Sequence, residues 1–143
     1  MDIPVVVNDF PLIISDTPKG CLFIYKDFIT ENTFSSLDWF EKECLLHACT
    51  LKGRKDAFRK ITGTSQKPAI LLSEIDKILF FPLLGEKVIN NTYIQYEQVV
   101  QIKSVSYKKT RIYFINGFQY DVNFNHRIIK AQLQKCEQFL KSI

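Results

Sequence analysis

Thr110-Arg111-Ile112-Tyr113-Phe114-Ile115-Asn116-Gly117-Phe118-Gln119-Tyr120-Asp121-Val122-Asn123-Phe124 is the stretch whose reading decides the fold. The Asn116-Gly117 pair first suggests a two-residue hairpin turn. That register sets Ile112 opposite Asp121 and Arg111 opposite Val122, and it mixes polar and apolar side chains on both faces. A three-residue loop, Ile115-Asn116-Gly117, with Gly117 in the left-handed position, removes the conflict. Phe114 then faces Phe118, Ile112 faces Tyr120 and Thr110 faces Val122. On the other face Arg111 opposes Asp121, and Tyr113 opposes Gln119. One apolar and one polar face is what a half-buried sheet requires. The register predicts an Arg111–Asp121 cross-strand pair.

The elements on either side follow from this hairpin. Downstream, Asn125 can cap a helix over about 126–141. Its residues Ile129, Leu133, Cys136 and Leu140 step along one face, flanked by Ile128 and Phe139, so the helix should lie on the sheet. Upstream, Val99–Tyr107 reads as a strand with a bulge or break near Ser104, where alternation fails. Tyr93–Tyr96, Ile78–Phe81 and Ala69–Leu72 are further strands. Pro82 ends the second of these, and Leu84–Asn91 is a loop.

Ser35-x-x-Asp38 approximates a capping box and opens a helix over about 36–50. Its stripe is Leu37, Phe40, Cys44 and Ala48, widened by Trp39, Leu45 and Leu46. Gly53 is the expected stop. In front, Val5–Val7, Leu12–Ile14 and Cys21–Tyr25 make a small meander, turned at Asp16-Thr17-Pro18-Lys19-Gly20. The expectation is an α+β fold. It has a mainly antiparallel sheet, a mid-chain helix (about 36–50) and a C-terminal helix (about 126–141) packed on it, in one domain spanning residues 1–143.

At 143 residues the chain can bury a core without metals or disulfides. Apolar runs such as Ile78–Leu84 are far shorter than the roughly 20 residues that cross a bilayer. No signal-like start is visible, so a cytoplasmic protein with no membrane contact is expected. Cys21, Cys44, Cys49 and Cys136 lack metal-ligand spacing, and Cys44 and Cys136 fall on apolar helix faces as small hydrophobes. His47 reads as a packed or half-exposed helix residue rather than a ligand. No nucleophile elbow, Walker loop or dinucleotide-binding glycine set occurs, and no carboxylate or cysteine pattern accompanies His47 or His126. No catalytic residue, metal ligand or cofactor is assigned.

Charge is distributed unevenly. Residues 1–51 sum to −5, residues 52–67 to +5 and residues 68–143 to +4. The middle run holds Lys52, Arg54, Lys55, Arg59, Lys60 and Lys67 against Asp56 alone. Charge packed this densely repels itself unless an anionic partner relieves it, and a polyphosphate backbone is such a partner. Read as a polar segment beyond the helix, the run offers Arg54 to a minor groove and its lysines to phosphates. The plain alternative is a solvated, solubilising loop. Lys108 and Lys109 form a second cluster, with Arg111 tied to Asp121. Tyr107 and Tyr113 could stack on bases, although rim packing suits them better.

The order of short motifs resembles the ComK competence transcription factor family. Its carriers are Glu41-Lys42-Glu43-Cys44, Gly53-Arg54-Lys55, Ile61-Thr62-Gly63-Thr64-Ser65-Gln66-Lys67-Pro68-Ala69-Ile70-Leu71, Phe80-Phe81-Pro82 and Phe114-Ile115-Asn116-Gly117. The likeness covers roughly residues 38–140 and is loose before that. Ala69 stands where relatives commonly carry a second proline. The resemblance implies a DNA-binding activator of DNA-uptake genes that reads paired A/T-rich boxes largely through the minor groove. It also implies double-stranded DNA and further copies of itself as partners, and an adaptor that delivers it to an ATP-dependent protease. The DNA-facing residues expected are Lys52, Arg54, Lys55, Arg59, Lys60, Lys67, Lys108 and Lys109.

The sequence ends at Ile143, where many relatives continue into a tail. This leaves open a member that binds DNA without activating, or one that modulates a longer relative. A protein- or lipid-interaction module with a pleckstrin-homology-like open strand barrel and basic mouth is the remaining alternative.

Overall fold

The computed structural model describes residues 8–86, 88 and 90–143. Six antiparallel strands form one sheet: β1 (Ile13–Thr17), β2 (Gly20–Ile24), β3 (Ile29–Asn32), β4 (Ile70–Ser73), β5 (Ile78–Pro82) and β6 (Thr92–Gln95). Their spatial order is β3-β2-β1-β6-β5-β4. A second antiparallel sheet is β7 (Val99–Ser106), β8 (Lys109–Phe114) and β9 (Gln119–Val122), in chain order. Both sheets are open along the described residues. The expected strands are present, and β3 is an edge strand that the sequence reading did not contain. The Val5–Val7 strand lies outside the described residues.

The six-stranded sheet is covered on both faces, which is why β5 reads as an unbroken apolar run rather than an alternating one. One face, with Ile14, Phe23, Ile70, Ile78, Phe80 and Tyr93, meets Phe40 and Cys44 of helix α1 (Ser36–Leu46). The other, with Ile13, Leu71, Leu79, Phe81 and Ile94, meets Phe58 of helix α2 (Leu51–Thr62). Ile129, Cys136 and Phe139 of helix α3 (His126–Lys141) and the apolar side of the second sheet complete this cluster. Phe80 and Phe81 are adjacent in sequence and serve opposite cores. Burial pushes the Cys44 thiol up to about 12 and the Cys136 thiol well above its ordinary value, consistent with their reading as small hydrophobes.

The hairpin has the expected register, with Ile112 opposite Tyr120, Thr110 opposite Val122, and Arg111 opposite Asp121. Gly117 takes φ 88°. The Arg111 guanidinium donates two bonds to Asp121, at 2.8 and 3.1 Å. The ladder between β7 and β8 shifts register between Ser104 and Ser106, where the break was expected.

The mid-chain helix needs correction. It is two helices. Ser35 caps α1 by accepting from the Asp38 amide at 3.1 Å, as expected, but α1 ends at Leu46. The chain then reverses through Ala48, which sits at φ 59°, an uncommon region for a residue with a Cβ. Thr50 starts α2 by accepting from the Gly53 amide at 3.0 Å. Gly53 is therefore the third residue of a helix and not a stop. A Cβ there would lie 2.9 Å from Thr50 Oγ1, so the missing side chain lets the cap close. The helix ends instead at Gly63, at φ 75°, whose amide donates to Arg59 O. On α3 the buried face is also turned from the expected stripe. Ile129, Gln132, Cys136 and Phe139 are buried, while Leu133 and Leu140 are partly exposed.

Candidate nucleic-acid interface

The basic run expected on an irregular segment is mostly on α2. In a helix, every third or fourth position shares a face. Leu51 and Phe58 face the core, and Arg54 and Lys55 fall between them on that inner flank. Their side chains are only 16% and 15% exposed. Arg54 donates to Glu74 in the turn between β4 and β5 at 2.8 Å. This bond holds the Glu74 carboxyl below its ordinary range. Lys55 lies 3.5 Å from Glu86 in the loop after β5. Arg59 binds Glu86 and also Asp56, the latter at 3.2 Å. Counting Glu74 and Glu86, the run's +5 falls to +3. The neutralising acids come from the basic C-terminal part of the chain, not from the acidic front.

The remaining cations differ. Lys52 is fully exposed, with a loose contact to Asp56 at 3.6 Å. Lys60 points to solvent from the last turn of α2. Lys67 lies in the loop between α2 and β4. Lys108 is in the β7–β8 turn and Lys109 opens β8, both exposed. Among the described residues, none of Lys60, Lys67, Lys108 and Lys109 has a carboxylate within ion-pair distance.

The loop carrying Lys67 is held by its carbonyls. Arg59 Nε donates to Ser65 O at 3.1 Å, the Glu86 amide to Gln66 O at 3.0 Å, and Gln132 Nε2 to Lys67 O at 3.3 Å. Gln132 also donates to Pro82 O at 2.7 Å. This pins the loop and the end of β5 to α3. Arg59 and Glu86 thus brace the loop rather than present free charge.

Asn125 performs a similar task at the N-terminal end of α3. Its Nδ2 donates to Tyr107 O at 2.9 Å, and its Oδ1 accepts from the Arg127 amide at 2.8 Å. The Tyr107–Lys108 turn is thereby fixed against the start of the helix. Tyr107 is 79% exposed, and Tyr113 is half-buried. Arg127 and Lys135 were not among the expected interface residues. Their spacing on either side of Ala131 places them on one outer flank of α3, a signal the apolar stripe overshadowed.

A family model described as ComK protein matches residues 10–143. The match reaches well upstream of the region where short motifs carried the likeness. No curated protein and no solved structure matches the chain.

Proposed function

The chain belongs to the ComK family of competence-related transcription factors, and we propose that it binds A/T-rich double-stranded DNA, largely through the minor groove, as an oligomer regulating DNA-uptake genes. The family match over residues 10–143 carries this reading. The electrostatics agree with it: Lys52, Lys60, Lys108 and Lys109 extend into solvent and Lys67 is half-buried, and among the described residues none has a close carboxylate except for the loose Lys52–Asp56 contact. These five make the direct phosphate contacts in our reading. Arg54, Lys55 and Arg59 act behind them, holding α2 and the following loop in place.

Phosphate contacts set position, and the shape and stiffness of A/T-rich DNA supply the preference. The test is a binding series with A/T-rich and G/C-rich duplexes from 50 to 200 mM salt. If about five phosphates are neutralised, affinity falls several hundred-fold across that range. Absence of binding to either duplex at 50 mM salt refutes the reading.

A further inference from the structure

We propose that the groove between the loop at residues 63–68 and the outer flank of α3 is a seat for backbone phosphates of double-stranded DNA, gripped by Lys67, Arg127 and Lys135. The inference rests on the DNA-binding reading and extends the interface to a helix that reading does not use. The groove has a volume of about 430 Å³ and is lined by Thr64, Lys67, Arg127, Ala131, Gln132 and Lys135, among others, with no acidic residue in its wall. Its three cations come from two separate elements. Among the described residues, none of the three has a carboxylate within ion-pair distance.

Cations that converge on a concavity repel one another, and an anion in the concavity offsets that repulsion. Here the convergence is built into the fold. Gln132 is buried, and its amide fastens the Lys67 carbonyl to α3, so the two walls keep their spacing without a ligand. Arg127 and Lys135 are eight residues apart, about 12 Å along the helix axis. That span suits a repeating polyanion better than one isolated phosphate. Thr64 adds a polar group. It is buried, and its Oγ1 has no hydrogen-bond partner among the described residues. Such a buried hydroxyl is normally satisfied by a partner. Asn125 fixes the Tyr107–Lys108 turn to the N-terminal end of α3, the end that carries Arg127.

The experiment compares the full-length protein with Arg127→Ala/Lys135→Ala and with a control, Lys26→Ala, in the turn after β2. Binding to an A/T-rich duplex is measured over 50–200 mM salt, with thermal melting of each protein as the folding check. Removing two phosphate contacts lowers the slope of log affinity against log salt by about 1.8 and weakens binding roughly 50-fold near 0.1 M salt. The control should keep the wild-type slope. A double variant that melts like wild type and keeps both slope and affinity overturns the groove while leaving the DNA-binding reading intact. A parallel arm follows the Lys67 and Arg127 amides by NMR during titration with inorganic pyrophosphate. Wild type should show saturable shifts that the double variant loses. Pyrophosphate binding without any duplex binding assigns the groove to a small free anion and overturns both readings. A wild type that binds neither overturns both as well.

Discussion

Two cationic regions meet at the loop after α2, and they differ in what surrounds them. On α2, Arg54, Lys55 and Arg59 each face a carboxylate and are largely withdrawn from solvent. Across the loop, Lys67, Arg127 and Lys135 line a groove that holds no acid among the described residues. The first region is dense in the sequence and mostly neutralised in space. The second is sparse in the sequence, assembled from residues 60 positions apart, and carries its charge uncompensated. Charge density along a chain is therefore a poor guide to available charge. Helical geometry decides which cations turn inward and whether an acid waits for them. Ion pairs of the α2 kind fix a surface, while unpaired cations are the ones that exchange counterions for phosphates.

The hardest way to break this contrast is Phe58→Ala. Phe58 is 1% exposed, and its ring centroid lies 5.0 Å from that of Phe139. It packs α2 against α3. Truncating a buried phenyl costs about 3–5 kcal/mol. Denaturant unfolding should show a loss of that order, and DNA affinity should fall with it because one wall of the groove is released. Unchanged stability would mean that α2 is not the anchored element described here.

The carboxylates repeat the contrast. Among the described residues Glu86 has two cationic partners, whereas Glu97 has none. Glu97 Oε1 accepts from the Leu79 amide at 2.6 Å, but its Oε2 is enclosed and unpartnered. Burial raises its carboxyl to about 8, from an ordinary value of 4.5. Between those values the unfolded chain has lost this proton and the folded chain keeps it. Stability therefore declines as pH rises through the window, by at most about 1.4 kcal/mol per pH unit. Below it the group contributes no pH dependence. Glu97→Gln should raise the melting temperature at pH 8 and leave it nearly unchanged at pH 4.5. An equal effect at both values would show that the carboxyl titrates normally.

The sequence made the sheet hairpin legible because alternation, turn length and Gly117 all constrain one register. Arg111, Asp121 and the apolar face could be placed from that register alone. The split of the mid-chain helix was not legible for a local reason. Gly53 looks like a terminator, while its actual task is to make room for Thr50 Oγ1. With Gly53 taken as a stop, the helical phase of residues 51–62 was invisible. Arg54 and Lys55 then passed for exposed loop residues although they lie on the Leu51–Phe58 flank. Continuing that phase would have turned both inward. Glu74 and Glu86 as their partners are long-range facts that no local pattern contains. On α3 the apolar stripe was correct in kind and off by a small rotation, since Gln132 occupies a buried site as a polar tie between three elements.

A crossed pair of variants sharpens the comparison at intermediate effect size. Arg54→Ala removes a mostly buried stem and its bond to Glu74, so it should cost stability of order 1 kcal/mol and barely alter the salt slope. Lys60→Ala should do the reverse, keeping the melting temperature and lowering the slope by about 1. If Arg54→Ala instead lowers the slope while melting normally, Arg54 reaches DNA despite its ion pair, and the division between bracing and free cations fails.

The smallest effect belongs to the ion pair that the hairpin register predicted. Arg111 and Asp121 make a two-bond contact on the polar face of the second sheet, in reach of water. The bonds from Arg111 hold the Asp121 carboxyl below its ordinary range. A depressed carboxyl contributes stability above its unfolded value, and that contribution disappears as pH falls through the folded value. Asp121→Asn should therefore melt slightly below wild type at neutral pH and converge with it in acid. Solvent screening keeps the difference small and salt reduces it further. The same variant also frees Arg111 beside Lys109, adding an uncompensated cation next to the proposed interface. DNA affinity should then stay level or rise slightly. A clear fall would place Asp121 itself in the interface and make the hairpin, rather than the groove on α3, the principal DNA-facing element.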